Sequence, residues 1–226
     1  MLNIKQNLLT LNTSILRIVK DCQRDPESII LLAVSKRHSI ESIKELHSHG
    51  QNHFGENFVQ EGVDKIRAIK SDNLCWHFIG HIQSNKTRLI AENFNWVHTV
   101  DRIKIAERLS KQRPKISADL NVCVQVNIDQ EESKSGVNID ALLQLCKAID
   151  ELPKLKLRGL MCIPATEKNL KKQRIPFAKI YQQQEILIQH GLKLDTLSMG
   201  MTNDFEAAIK EGATIIRVGT ALFGSR

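Results

Sequence analysis

The sequence predicts an α/β chain folded as a closed (β/α)8 barrel that resembles no open-sheet dinucleotide fold, with an extra helix at its N-terminus. Three observations carry that reading. Strand-like and helix-like segments alternate eight times along the 226 residues, and strict alternation implies a parallel sheet covered by helices. No composition shift or linker marks a second domain, so residues 1–226 read as one domain. The length is close to the ~250 residues usual for eight such units. A doubly wound open sheet is the weaker alternative, because no GxGxxG follows the first strand.

Residues 1–22 place Met1, Ile4, Leu8, Leu11, Ile15, Ile18 and Cys22 at a 3–4 spacing, which makes an amphipathic helix. That helix serves as a coiled-coil seam or, the better use, is laid on the barrel. The run IILLAVS (29–35) is a buried first strand. Ser39 caps a helix through Ile40, Ile43 and Leu46 that stops at Gly50. His53-Phe54 is a minimal second strand, followed by a helix over 56–69 with Phe58, Val59, Val63 and Ile66 on one face. CWHFI (75–79) is the third strand, with Ser84 capping the helix after it. WVHTV (96–100) is the fourth, and Asp101 caps a helix through Ile103, Ala106 and Leu109. LNVCVQVNI (120–128) is the fifth, followed by a Ser/Lys/Gly loop and a helix over 139–150. LKLRGLM (155–161) is the sixth, with a helix from Pro176 to His190 ended by Gly191. LDTLS (194–198) is the seventh, and Asn203 with Glu206 makes a capping box for a helix ending at Gly212. TIIRVG (214–219) is the eighth. Little chain follows it, so the N-terminal helix is expected to fill the eighth outer position.

Composition narrows the function. Lys+Arg number 32 against 25 Asp+Glu, a net charge of +7, and 42% hydrophobic with 25% charged residues is ordinary for a globular chain. No apolar run approaches the ~18 residues of a membrane span. The start, MLNIKQNLL, lacks the apolar core of a signal peptide, so a cytoplasmic location is expected. Five widely spaced cysteines without a CxxC pair argue against a disulfide framework or zinc site and for a reducing compartment. His77 and His81 are four apart, but Gly80 and a strand-like run keep them off one helix face, so no metal is expected there. The basic residues are scattered over helix faces and only 4% of residues are aromatic, which argues against nucleic acid. An anionic small ligand profits from the same field.

In such a barrel the site lies in the loops after the strands. The first strand ends in AVSKRHS, which puts Lys36 at its lip. A lysine sunk into a barrel mouth loses its charged form to desolvation and offers a free amine able to form a Schiff base. The seventh strand runs into SMGMTND and the eighth into GTALFG. Their small residues let backbone N–H groups approach an oxyanion, and phosphate sites in these barrels lie after strands seven and eight. A Schiff-base lysine beside a phosphate cradle describes pyridoxal phosphate, though a lysine aldolase of sugar phosphates shares both parts.

The stretches LLAVSK (31–36), HFGENFVQE (53–61), WHFIGHIQSNK (76–86), RGLMCIP (158–164) and LSMGMTNDFEAAIKEGATIIRVGTALFG (197–224) closely resemble the YggS/PROSC family of pyridoxal phosphate homeostasis proteins. The resemblance covers nearly the whole chain. It implies the barrel of the alanine racemase N-terminal domain, with pyridoxal phosphate (PLP) carried as a Schiff base on Lys36. It implies phosphate contacts from Ser198, Gly200, Met201, Gly219 and Thr220, with Asn57 and Met161 near the ring. RVGTALFG also resembles the racemase segment whose arginine faces the pyridine nitrogen, which gives Arg217 that role. His81 stands where many relatives have proline, which leaves that loop's shape open.

The resemblance leaves two functions. A racemase needs an acid/base group on each face of the substrate. Lys36 serves one face, but in alanine racemases the opposing tyrosine comes from a second domain, and the one tyrosine here, Tyr181, falls in an outer helix. A carrier in PLP homeostasis, without turnover of its own, is therefore favoured. Its expected partners are PLP and PLP-dependent apoenzymes or amino acids. A monomer or weak homodimer is expected, since residues 1–22 can cover their own barrel or a second copy.

Overall fold

The computed structural model of the protein describes residues 4–129 and 135–224. Its strands are β1 (Ile30–Val34), β2 (His53–Glu56), β3 (Cys75–Phe78), β4 (Trp96–Val100), β5 (Leu120–Gln125), β6 (Leu155–Met161), β7 (Thr196–Ser198) and β8 (Ile215–Val218). All eight are parallel and close in chain order, β8 pairing with β1 through Ala33 and Val218. Outside them run α1 (Ile4–Asp21), α2 (Ile40–Ser48), α3 (Val59–Ile69), α4 (Thr87–Asn93), α5 (Ile103–Gln112), α6 (Ile139–Asp150), α7 (Leu170–Gln189), α8 (Phe205–Lys210) and α9 (Thr220–Phe223). No helix among the described residues is long and apolar enough to cross a membrane.

The first helix does fill the eighth outer position. The stripe Ile4, Leu8, Leu11, Ile15 and Ile18 is buried, α1 packs against α2, α8 and α9, and Asn7 donates to the Leu222 carbonyl at 2.9 Å. Met1 of the expected seam lies outside the described residues, as does part of the loop after β5. The apolar side chains divide into two sets. One lies between sheet and helices. A smaller one, with Leu32, Val34, Ile79, Trp96, Cys123, Met161 and Ile215, fills the barrel interior. That interior also holds polar side chains, among them His77, His98, Gln125, Ser198 and Arg217, all buried.

Several local expectations are corrected. The helix expected over 56–69 begins at Val59, because Glu56 is still paired in β2 opposite Phe78. The helix expected from Pro176 begins at Leu170, where the Asn169 side chain accepts from the Lys172 N–H at 3.2 Å. Pro176 sits inside that helix at the cost of one backbone hydrogen bond. Ser84 starts a 3-10 turn instead of capping a helix. Asp101 pairs with Arg102 and makes no cap. The Asn203–Glu206 box does not form, since the cap position is Asp204 and Glu206 pairs with Lys210. The fifth strand ends at Gln125, after which Val126 bridges Val137. The short α9 was not expected at all. Of the expected N-caps Ser39 holds, accepting from the Ser42 N–H, and Gly50, Gly191 and Gly212 follow the ends of α2, α7 and α8 as expected.

Candidate functional site

Because every strand is parallel, every strand's C-terminal end opens on the same mouth. Lys36 follows β1 and is half-buried. The register Val34 opposite Gly55 sets Asn57 beside Lys36. On the other side β1 meets β8, and a Cβ on Gly219 would lie 3.3 Å from the Val34 carbonyl oxygen, so the Gly219–Thr220 turn abuts the Lys36 strand. Met161 faces Ser198 across β6 and β7, and the Arg217 N–H donates to the Gly200 carbonyl at 2.9 Å. Lys36, Asn57, Met161, Ser198, Gly200, Met201, Arg217, Gly219 and Thr220 thus lie in, or just after, the C-terminal halves of β1, β2, β6, β7 and β8. Gly200 cannot be replaced cheaply, since its φ is +93° and a Cβ would lie 2.6 Å from that of Ala208.

Lys36 stands on a buried ionic mount that sequence reading missed. The Lys65 ammonium donates to the Ser35 carbonyl at 2.7 Å, to Glu56 Oε1 at 2.8 Å and to Glu61 Oε1 at 2.7 Å. The Ser35 hydroxyl donates to the same Glu56 oxygen at 2.7 Å. Glu61 also accepts the Arg37 N–H, which holds Arg37 at φ 61°. A left-handed residue bearing a Cβ costs roughly 1–2 kcal/mol, so the turn carrying Lys36 is held by its mount. Burial raises the Glu56 pKa above its ordinary value, and Lys65 and Ser35 pull it back in part.

A column of polar side chains descends from the mouth. Arg217, 4% exposed, donates to the Ser198 carbonyl at 2.5 Å and hydroxyl oxygen at 2.9 Å, and to the Cys162 carbonyl at 3.0 Å. The Ser198 hydroxyl lies 2.7 Å from His98 Nδ1. His98 Nε2 lies 2.9 Å from His77 Nδ1, and His77 Nε2 lies 3.0 Å from His53 Nδ1. Burial lowers the pKa of all three imidazoles, and with the Arg217 charge it takes His98 down to about 3, so the three rings are neutral near pH 7. His77 and His98 were legible as inward positions, two residues along from Cys75 and Trp96.

These residues fit an anionic ring-bearing ligand. Asp204 is the carboxylate, among the described residues, whose charge acts on the buried Arg217 guanidinium, and it makes no ion pair with it: its Oδ1 accepts the Met201 N–H at 2.5 Å. The Met201 N–H is therefore already occupied, and Met201 itself is 38% exposed. The Asn57 Oδ1 atom is buried without a partner. Burying an unpaired polar atom costs roughly 1–3 kcal/mol, so a donor at this end of the barrel is called for. Thr220 is exposed at the rim, and Ser198 is fully buried with its oxygen engaged by Arg217 and His98. His81 is exposed, after a Gly80 whose Cβ would lie 1.9 Å from the Asn57 carbonyl oxygen.

Residues 17–226 match the family model described as alanine racemase, N-terminal domain. A protein of Haemophilus influenzae named pyridoxal phosphate homeostasis protein is 50% identical over 229 residues, covering 100% of this chain and 97% of that one. Its namesake in Escherichia coli K12 is 48% identical over 232 residues, covering 99% and 97%. The chain belongs to the pyridoxal phosphate homeostasis protein family. Within that family's reach lies PipY of Synechococcus elongatus PCC7942, solved with PLP bound, at TM-score 0.86 and 36% identity over 98% of this chain and all of that one. Alanine racemase from Corynebacterium glutamicum superposes at TM-score 0.71 with 16% identity, covering 99% of this chain and 60% of that one, a likeness of fold. The pyridoxal phosphate homeostasis family and the racemase-type barrel expected from sequence are both found.

Proposed function

We propose that this chain binds PLP at the barrel mouth as a Schiff base on Lys36 and serves its homeostasis without turning substrates over. The observation that carries the reading is the pairing, at one mouth, of a mounted Lys36 with a buried Arg217 that, among the described residues, no carboxylate neutralises directly. The family names and the PLP-bound PipY point the same way. Lys36 would hold the cofactor through its amine, Ser198, Gly200, Met201, Gly219 and Thr220 would hold the phosphate, Asn57 and Met161 would flank the ring, and Arg217 would serve the pyridine nitrogen. Bound PLP supplies an electron-withdrawing ring. An arginine can donate a hydrogen bond to that ring but does not readily give up its proton, which keeps the sink weak.

Tyr181 supports a carrier over a racemase, because it sits on α7, exposed, against Gly212 and away from the mouth. We further propose that residues 1–226 act as a single cytoplasmic domain, monomeric or weakly dimeric, that exchanges PLP with apoenzymes or amino acids and binds neither nucleic acid nor membrane. The test is the visible spectrum of the purified protein with and without added PLP, followed by borohydride reduction and peptide mass spectrometry. A yellow protein with the reduced label on Lys36 is expected. A label on another lysine, or trapping by a sugar phosphate without any bound pyridoxal, would refute the reading.

A further inference from the structure

His53 and Cys75 open β2 and β3, at the opposite end of the barrel from Lys36. The parallel register of β2 and β3 sets His53 opposite Cys75 and Gly55 opposite His77. Alternation along a strand turns Cys75 and His77 to the same face, and Cys75 packs against the interior apolar set. Two adjacent strands therefore bring three metal-ligating side chains together, with one ligand atom from each of His53, Cys75 and His77 all within 4.8 Å of one another. The sequence pairing of His77 with His81 missed this, because the partners are joined by register and not by spacing.

We propose that His53, Cys75 and His77 bind one borderline-soft cation, zinc(II) above all, on the floor of the barrel. Two imidazoles and one thiolate make a tetrahedral set with one position left over, as zinc sites open to water have. His53 and Cys75 are half-buried and His77 is buried, so solvent reaches the outer part of the set. Zinc bonds of about 2.0–2.3 Å place neighbouring ligand atoms on the order of 3.4 Å apart. The two nitrogens, at 3.0 Å, need to part by a few tenths of an ångström. The Cys75 sulfur, within 4.8 Å of both nitrogens, has to close on them as well.

A second observation points to a ligand. His77 has its other ring nitrogen fixed by His98 at 2.9 Å and its ring stacked on Trp96 with centroids 5.4 Å apart and planes 12° apart. Metal-bound histidines are oriented in this way through their second nitrogen. With the His77 hydrogen on Nδ1, the hydrogen between His53 and His77 belongs to His53 Nδ1. On binding it moves to His53 Nε2, the Cys75 thiol releases its proton to water, and the cation accepts lone pairs from two nitrogens and one sulfur. Arg158 lies over Trp96 at 4.7 Å and is paired with Asp195 at 2.7 Å. The site stands whether or not the mouth takes PLP.

The experiment titrates the reduced, chelator-treated full chain with cobalt(II) and reads the difference spectrum against the same protein without metal. One equivalent should produce a thiolate-to-cobalt charge-transfer band with tetrahedral d–d bands, and zinc(II) should displace them. Native mass spectrometry of the wild type should show one zinc per chain. Cys75→Ser should remove the charge-transfer band, His98→Phe should weaken binding about 10–100-fold, and His81→Ala should change nothing. Absence of the band in the wild type at one equivalent would overturn the proposal without reliance on any variant. A band that survives in Cys75→Ser would place the sulfur elsewhere and overturn it equally.

Discussion

Replacing Lys65 by methionine tests whether the mount under Lys36 is a structural necessity. The Lys65–Glu56 pair is 2.8 Å apart with side chains 7% and 0% exposed. At that distance the attraction is about 6 kcal/mol in an effective dielectric of 20. Desolvation of both ions cancels much of this in the intact pair, so its net worth is small. Removing one partner leaves the other ion buried and uncompensated, which costs about 3–5 kcal/mol. Lys65→Met should therefore lower the unfolding free energy in urea by about 3–5 kcal/mol. The sign with pH follows from Glu56, whose carboxyl is raised above its ordinary 4.5 by burial. Between the ordinary and the raised value the folded chain holds a proton that the unfolded chain has lost, so stability falls as pH rises through that window. Without Lys65 the window extends upward. The loss should then be larger near pH 8 than near pH 5, by about 1.4 kcal/mol for each unit over which Glu56 is newly protonated. Glu56→Gln in the same chain should recover part of the loss and flatten the pH dependence, which a double-mutant cycle reads directly. A loss under about 1 kcal/mol, or one that ignores pH, would show the mount to be a solvated ion pair.

Ser198→Ala and Thr220→Ala should each weaken PLP retention by about 1–3 kcal/mol, measured by equilibrium dialysis, as expected when a charged acceptor loses a donor. Pyridoxal without its phosphate should bind far more weakly, and equal affinity for the two forms would make these loops mere turns. Arg217→Lys should retain more PLP than Arg217→Gln if its charge holds the ligand, whereas equal losses would leave only its bonds to Ser198 and Cys162. Exchange of the α-hydrogen of L-alanine in deuterated water should stay far below enzymatic rates, and rapid exchange that depends on Lys36 would restore the racemase reading.

The barrel was legible because its two periodicities, two for strands and 3.6 for helices, are both written in the apolar residues. The mouth was legible because eight parallel strands must present all their C-terminal ends on one side. Much of what escaped depends on contacts between elements distant in sequence. Asp101 escaped for a local reason: it looks like a cap, yet its carboxylate turns to its neighbour Arg102 at 2.6 Å. Lys65 looks like a residue of a solvated helix face, four from Glu61, until α3 packs on the barrel and buries it at 6% exposure. The histidine column spans β2, β3, β4 and β7, and only strand register brings those rings into line. Sequence does show its signature, which is polar residues at inward positions of strands whose other inward positions are apolar.

That polar interior bears on what the barrel is for. A barrel packed for stability alone would fill its layers with branched apolar side chains. Here the lower and middle layers satisfy their polar groups internally, imidazole to imidazole and imidazole to hydroxyl, so they cost little beyond desolvation. The upper layer does not. The Arg217 charge without a direct carboxylate, the partnerless Asn57 Oδ1 and the left-handed Arg37 next to Lys36 are all gathered at the mouth. Native proteins leave buried polar groups unpaired and backbone strained mainly where a ligand or reaction uses them. An anion with a hydrogen-bond donor relieves the first two together, and anything that binds the folded state alone raises its stability by mass action. The partnerless Asn57 oxygen and the Arg217 charge are thus terms of this fold that the proposed ligand would offset.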